Sequence, residues 1–230
     1  MLNERAVFIG RYGTLTQEPY ENMKLIIPAI IAKTQNELDE LLSKVEDYSE
    51  LVQLDIMDEK FVPSSSLDFD FDVSGRNISF EAHLMIRDPI EWIEKNWWKV
   101  DTIIVHFETY DKPEEIISFV KNKGKKIGFA INPQTVIDNV KAYLDDIDQL
   151  LIMTVNPGFY GSKFLPDTID KIREARKIKP NLDIEVDGGV APDTIKLIND
   201  AGANMFVSGS YILKSNSVKE SIDTLKNLIR

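Results

Sequence analysis

One pattern recurs eight times along the chain. Short runs rich in Ile, Val, Leu and Phe begin at Leu25, Leu51, Phe80, Thr102, Lys126, Leu150, Leu182 and Asn204, with amphipathic stretches between them. Successive starts lie 22 to 32 residues apart. A strand, a turn and a helix need about that much chain. The runs are continuously apolar rather than alternating, as parallel strands covered on both faces are. Eight strand–helix units in 230 residues predict a (β/α)8 TIM barrel. An open doubly wound sheet is the second solution.

The intervening stretches carry helix signals. Thr34 to Tyr48 spaces Leu38, Leu41, Leu42 and Val45 by three and four, with Thr34 and Glu37 forming a capping box. Pro113 to Lys123 starts on proline and acids and stops at Gly124. Asp167–Lys177, Pro192–Asp200 and Val218–Ile229 read the same way. Between Pro63 and Phe80 the helical period is missing. Leu67, Phe69 and Phe71 alternate there with Asp68, Asp70 and Asp72, so a short or absent second helix is expected. Residues 1–23 read as an N-terminal extension, with a possible added strand at Ala6 to Tyr12, and residues 24–230 as a single barrel domain.

Composition narrows the function classes. The net charge is −11, against a nucleic-acid surface, which needs clustered Lys and Arg. There is no cysteine, which excludes disulfides, thiolate metal sites, iron–sulfur clusters and a cysteine nucleophile. No apolar run approaches the length of a membrane span, and the first residues lack a secretion signal, so the expectation is a cytoplasmic protein without membrane contact.

Ionisable and polar residues fall late in the runs: Asp55, His83, His106, Asn132 and Asp187. In a buried strand such groups are costly unless paired or close to the strand's mouth. In a parallel barrel those ends converge on one face, where active sites form. Glycine-rich turns follow the last runs: Asn156-Pro157-Gly158-Phe159-Tyr160-Gly161, Asp187-Gly188-Gly189 and Ser208-Gly209-Ser210. Such turns either are simple tight turns or expose backbone N–H groups to a phosphate.

Five segments together resemble the ribulose-phosphate 3-epimerase family: Leu54 to Pro63 (LDIMDEKFVP), Ala82 to Pro89 (AHLMIRDP), Val155 to Pro166 (VNPGFYGSKFLP), Glu185 to Val190 (EVDGGV) and Ala201 to Leu213 (AGANMFVSGSYIL). The resemblance implies a ribulose-phosphate-binding barrel that interconverts D-ribulose 5-phosphate and D-xylulose 5-phosphate with a divalent metal (Zn, Mn, Fe or Mg). It assigns Asp55 and Asp187 as the acid–base pair, and Asp55, His83 and Asp187 as metal ligands. Two carboxyl groups on opposite faces suit inversion of C3, since one removes a proton and the other delivers one. Met57, Met85 and Met153 match methionines that line the substrate, although methionines at such positions also simply fill cores. Gly158, Gly161, Gly188, Gly189, Gly209 and Ser210 match loops around the sugar and its phosphate. His106 reads as a supporting side chain. The family habit also implies a homo-oligomer.

The sequence departs from the family at the site. Gln53 stands where the family has a histidine that completes the ligand set, leaving an oxygen-rich group suited to Mg or Mn. Ala29 replaces a serine, Glu59 a glycine and Tyr160 a glycine. A barrel that binds a sugar phosphate without turning it over is the competing reading. Decarboxylation or aldol cleavage is a third, which lacks the lysine such relatives place beside the catalytic aspartate; Lys60 is merely nearby.

Overall fold

The computed structural model describes residues 24–158 and 161–230. The extension, the strand expected at Ala6 to Tyr12, and Phe159 and Tyr160 lie outside the described residues. Ten strands follow in order: β1 (Leu25–Ile27), β2 (Ala29–Ile30), β3 (Leu51–Asp58), β4 (Ser65–Ser66), β5 (Ser79–Met85), β6 (Thr102–His106), β7 (Lys126–Ile131), β8 (Gln149–Met153), β9 (Asp183–Asp187) and β10 (Met205–Val207). The helices are α1 (Gln35–Val45), α2 (Pro89–Asn96), α3 (Pro113–Lys121), α4 (Ile137–Val140), α5 (Ile169–Ile178), α6 (Ile195–Asp200), α7 (Ser210–Leu213) and α8 (Val218–Leu228).

The pairing order is β1-β10-β9-β8-β7-β6-β5-β3-β2, with every pair on this path parallel. β1 and β2 are one strand interrupted at Pro28, which has no N–H to give a ladder. Its first half pairs with β10 and its second half with β3. The chain therefore closes an eight-stranded TIM barrel through residues 25 to 30, with the Pro28 carbonyl accepting from Gln53 N at 3.0 Å.

Alternation along each strand sorts the side chains. On β3, Val52, Leu54 and Ile56 join the layer packed under the helices, together with Phe80, Ala82 and Leu84 of β5 and Ile184 and Val186 of β9. The opposite residues of those strands point into the barrel. One part of the interior is apolar, with Ile104, Ala130, Leu151 and Met153 in a cluster and Ile27, Ala29, Met205 and Val207 in another.

The helix expectations hold with adjusted ends. Thr34 Oγ1 accepts from Glu37 N at 3.2 Å, while Glu37 Oε2 accepts from Lys33 N at 2.8 Å, so the box reaches one residue further back than a standard one. α5 starts at Ile169 after a 3₁₀ turn over Pro166–Thr168, and α6 starts only at Ile195. The second helix is absent. Pro63 to Phe80 forms the two-residue β4, antiparallel to β3, and then turns. Leu67, Phe71 and Val73 are buried, Phe69 is half-buried, and Asp68, Asp70 and Asp72 between them are exposed, which is a period-two burial without a ladder. Arg76 holds this segment to α1 through Asp39 and Glu46, both at 2.7 Å. Among the described residues, no helix is long and apolar enough to cross a membrane.

Candidate active site

A cavity of about 170 Å³ opens at the carboxyl ends of the strands. Asp55 of β3 and Asp187 of β9 both line it, as do Met57, Met85 and Met153. The turns after the strands supply Gly158 and Gly161 on one side and Gly188, Gly189, Gly209 and Ser210 on another. His83 does not line the cavity; it is fully buried beneath the two aspartates. Asn132 is not brought in either. Its backbone N–H donates to Glu108 Oε1 at 2.8 Å instead.

The glycine turns are fixed by packing. Gly188 has φ +112°, and a Cβ on it would stand 2.4 Å from Val155 Cγ2. Only glycine tolerates that backbone and that approach. Thr154 N donates to the Asp187 carbonyl at 2.8 Å, which holds the turn against the end of β8. Ser208 Oγ donates to the Val190 carbonyl at 2.8 Å and ties the last two strand ends together. On the other side, Asp58 Oδ1 accepts from Lys60 N and Phe61 N, and its Oδ2 from Arg87 N, which locks the loop after β3. Phe61 then lies against the His106 ring, with centroids 4.7 Å apart.

Beneath the cavity, His83 Nδ1 lies 3.4 Å from Asp55 Oδ1 and 3.3 Å from Asp187 Oδ2. Gln53 Nε2 donates to the same two oxygens, at 2.8 and 3.0 Å, and sits 3.4 Å from His83 Nδ1. Burial raises the Asp55 carboxyl, and the Asp187 charge adds to this against the hydrogen bonds from His83 and Gln53. Burial would lower His83, but its hydrogen bonds to Asp187 and Asp55 and their charges outweigh that and push it up to about 9.

A line of hydrogen bonds continues outward from His83. Its Nε2 is 2.9 Å from His106 Nε2. His106 Nδ1 is 3.3 Å from Glu108 Oε2, and Glu108 Oε1 accepts from Thr135 Oγ1 as well as from Asn132 N. Burial, helped by the charge on His83, pushes His106 down to about 4. Burial would raise Glu108, but bonds from His106, Thr135 and Asn132 hold its carboxyl below the usual range. His106 is therefore neutral near pH 7. His106 Nδ1–H donates to the ionised Glu108, and its bare Nε2 accepts from His83. That leaves His83 Nδ1 as the atom facing the aspartates.

Asp55, His83 and Asp187 form a group that could hold a metal ion, with donor atoms all within 4.8 Å of one another. The residues fit such an ion. An imidazole nitrogen aimed at two carboxylate oxygens in a buried site calls for a positive charge, either a proton on the ring or a cation in its place. The outer hydrogen bonds set the ring tautomer that ligation needs.

Glu108, which follows β6 in a 3₁₀ turn (Phe107–Thr109), carries no local signal in the sequence. A deeper polar layer is built from Glu81, Gln149 and Glu185. Gln149 Nε2 donates to Glu81 Oε2 at 3.2 Å and to Glu185 Oε2 at 2.9 Å. Burial drives Glu81 up to about 7 against the Gln149 bond, and drives Glu185 well above its ordinary value with the Glu81 charge adding. The available signal was the period of two within the runs: Gln53, Asp55, Met57; Glu81, His83, Met85; Glu185, Asp187.

The profile of the Ribulose-phosphate 3 epimerase family matches residues 25–213. The chain is 32% identical over 212 residues to the ribulose-phosphate 3-epimerase of Schizosaccharomyces pombe, covering 89% of this chain and 93% of that protein. It is 34% identical over 186 residues to a protein of Oryza sativa named ribulose-phosphate 3-epimerase, cytoplasmic isoform, covering 77% and 82%. Among solved structures it resembles 3-keto-L-gulonate-6-phosphate decarboxylase from Vibrio cholerae, with a TM-score of 0.67, 14% identity and 90% and 98% coverage. At that identity the likeness bears on the fold alone.

Proposed function

The chain belongs to the ribulose-phosphate 3-epimerase family, and from that premise we propose which of its residues carry the reaction. It is an isomerase that interconverts D-ribulose 5-phosphate and D-xylulose 5-phosphate. The observation that carries the residue assignment is the meeting of Asp55 and Asp187, 132 positions apart in the chain, on one cavity.

In this reading one aspartate takes the C3 proton from one face of the ketose. The other delivers a proton to the opposite face, and the roles exchange with direction. Both groups begin and end each cycle with the pair holding one proton. Asp55, His83 and Asp187 would hold a divalent cation. When bound, that ion supplies positive charge that stabilises the oxygens of the enediolate. Met57, Met85 and Met153 form the apolar wall that keeps water from the exposed carbanion carbon. Gly188, Gly189, Gly209 and Ser210 receive the phosphate through backbone N–H groups and a hydroxyl, while Gly158 and Gly161 belong to the loop that covers the sugar. Tight turns held open by glycine, with a cavity in front of them, support this placement.

Further parts of the reading are a cytoplasmic location, as the name of the rice relative says of that protein, and self-association, which light scattering tests. The decisive experiment is an assay with ribulose 5-phosphate in deuterated water, first with EDTA and then with Zn²⁺, Mn²⁺ or Mg²⁺ added. Deuterium at C3 and appearance of xylulose 5-phosphate are expected. Absence of both under every ion condition rejects the reading.

A further inference from the structure

The amide of Gln53 occupies a corner of the polar cluster rather than its edge. Its Nε2 is 2.8 Å from Asp55 Oδ1, 3.0 Å from Asp187 Oδ2 and 3.4 Å from His83 Nδ1. His83 Nδ1 is 3.4 and 3.3 Å from those two oxygens. Five of the six spacings among four atoms are thus alike. Four donors around an ion at ~2.0–2.1 Å stand ~2.9–3.4 Å apart, whether octahedral or tetrahedral. The amide end is where a fourth ligand belongs.

The second observation is on the other arm of the same amide. Gln53 is fully buried, and its Oε1 has no hydrogen-bond partner. A buried carbonyl oxygen without a partner is unfavourable, because it has given up its water and gained nothing in return. Half a turn about the last side-chain bond exchanges Oε1 and Nε2. With a cation between the aspartates, that exchange turns the unpartnered oxygen onto the ion as a ligand and takes the N–H groups off the two carboxylates. Without one, the two N–H groups face the two carboxylates, as they do here.

We propose that Gln53 is the fourth donor of the cation site through Oε1, and that it narrows the margin by which Zn²⁺ outbinds harder cations such as Mn²⁺ and Mg²⁺. The inference rests on the cation reading given above and adds the ligand that sets its selectivity. The resulting set is three oxygens and one nitrogen. Imidazole favours Zn²⁺, whereas carboxylate and carbonyl oxygens suit Mg²⁺ and Mn²⁺. An amide bonded to both aspartates must also release them before the ion enters, which an imidazole that serves only as a ligand need not do.

The test is metal binding by the full chain without substrate. Mn²⁺ alone is followed by the paramagnetic resonance of the free ion, and Zn²⁺ alone by competition with a chromophoric chelator. Gln53→Leu, with an unchanged melting curve, is expected to weaken Mn²⁺ binding at least tenfold. Gln53→His is expected to raise the ratio of Zn²⁺ to Mn²⁺ affinity at least tenfold. Mn²⁺ binding that is equal in wild type and a folded Gln53→Leu variant overturns the proposal. If the leucine variant does not fold, the histidine comparison decides, and an unchanged ratio overturns it. Metal binding that follows position 53 in a protein that never exchanges the C3 hydrogen upholds this inference and rejects the epimerase assignment. A wild-type protein that exchanges that hydrogen in EDTA and binds neither ion does the reverse.

Discussion

His83 and His106 meet through the same ring atom, Nε2 to Nε2 at 2.9 Å, and both rings are fully buried. Two such nitrogens hold a single proton between them, so one must donate and the other accept. Glu108, at 3.3 Å from His106 Nδ1, settles the direction, because a carboxylate can only accept. The proton order runs from His83 to His106 to Glu108, and it frees His83 Nδ1 for the aspartates.

Glu108→Gln disturbs that order at modest cost in shape. The amide must place an N–H either against His106 Nδ1–H or against the donors Asn132 N and Thr135 Oγ1. Mn²⁺ affinity should fall roughly 10–100-fold, as when an outer partner of a ligating histidine is lost. Calorimetric titration reads this, with an unchanged melting temperature as the control. Undiminished affinity would show that Glu108 does not orient the ring.

Asp187→Asn removes one of the two proton carriers and keeps the side-chain shape. Exchange of the C3 hydrogen with deuterated water should drop at least 10²–10⁴-fold. Proton resonance of ribulose 5-phosphate incubated with the variant measures it. Wild-type exchange in that variant would remove Asp187 from the chemistry.

The deeper layer should make stability depend on pH. Glu81 is raised from 4.5 to about 7 in the folded chain. Its contribution is complete below about pH 4.5 and is lost as pH rises toward 7, because the unfolded chain gives up the proton first. Glu81→Gln keeps the acceptor for Gln149 and never ionises. It should gain about 1–3 kcal/mol over wild type between pH 5 and pH 8. Urea unfolding of both proteins at the two pH values gives the difference, and parallel changes in the two would discard the assignment.

Glu59 holds φ +59° on an exposed loop, where an L side chain is strained. The family's glycine fits there without strain. Glu59→Gly should stabilise by about 0.5–1 kcal/mol, or roughly 1–4 °C in Tm for a chain of this length. A calorimetric scan with a lower Tm for the variant would mean that the Glu59 side chain makes compensating contacts.

The barrel was legible because strands covered on both faces must be apolar throughout, and eight such runs recur at one spacing. The missing second helix was legible for the converse reason: alternating Leu67, Phe69 and Phe71 cannot form one apolar stripe on a helix. The division of the first strand at Pro28 was not, since it depends on which neighbour each half meets. At the site, Asp55, His83 and Asp187 showed as ionisable groups at strand ends. Glu81, Gln149 and Glu185 sit earlier in their strands and satisfy one another across the barrel, a contact that local spacing does not encode. Gln53 read as the loss of a ligand. Only its distances to three side chains from separate strands reveal an amide that already bridges both carboxylates.

The division at Pro28 has a bearing on how the chain is made. Among the described residues, Leu25 to Ile27 finds its ladder on β10, whose residues leave the ribosome some 180 positions later. Until then β1 and β9 are two raw edges, open to pairing with another nascent chain. Premature termination anywhere before Met205 would leave a curled sheet with an unzipped seam, prone to clump rather than to persist as a smaller working protein.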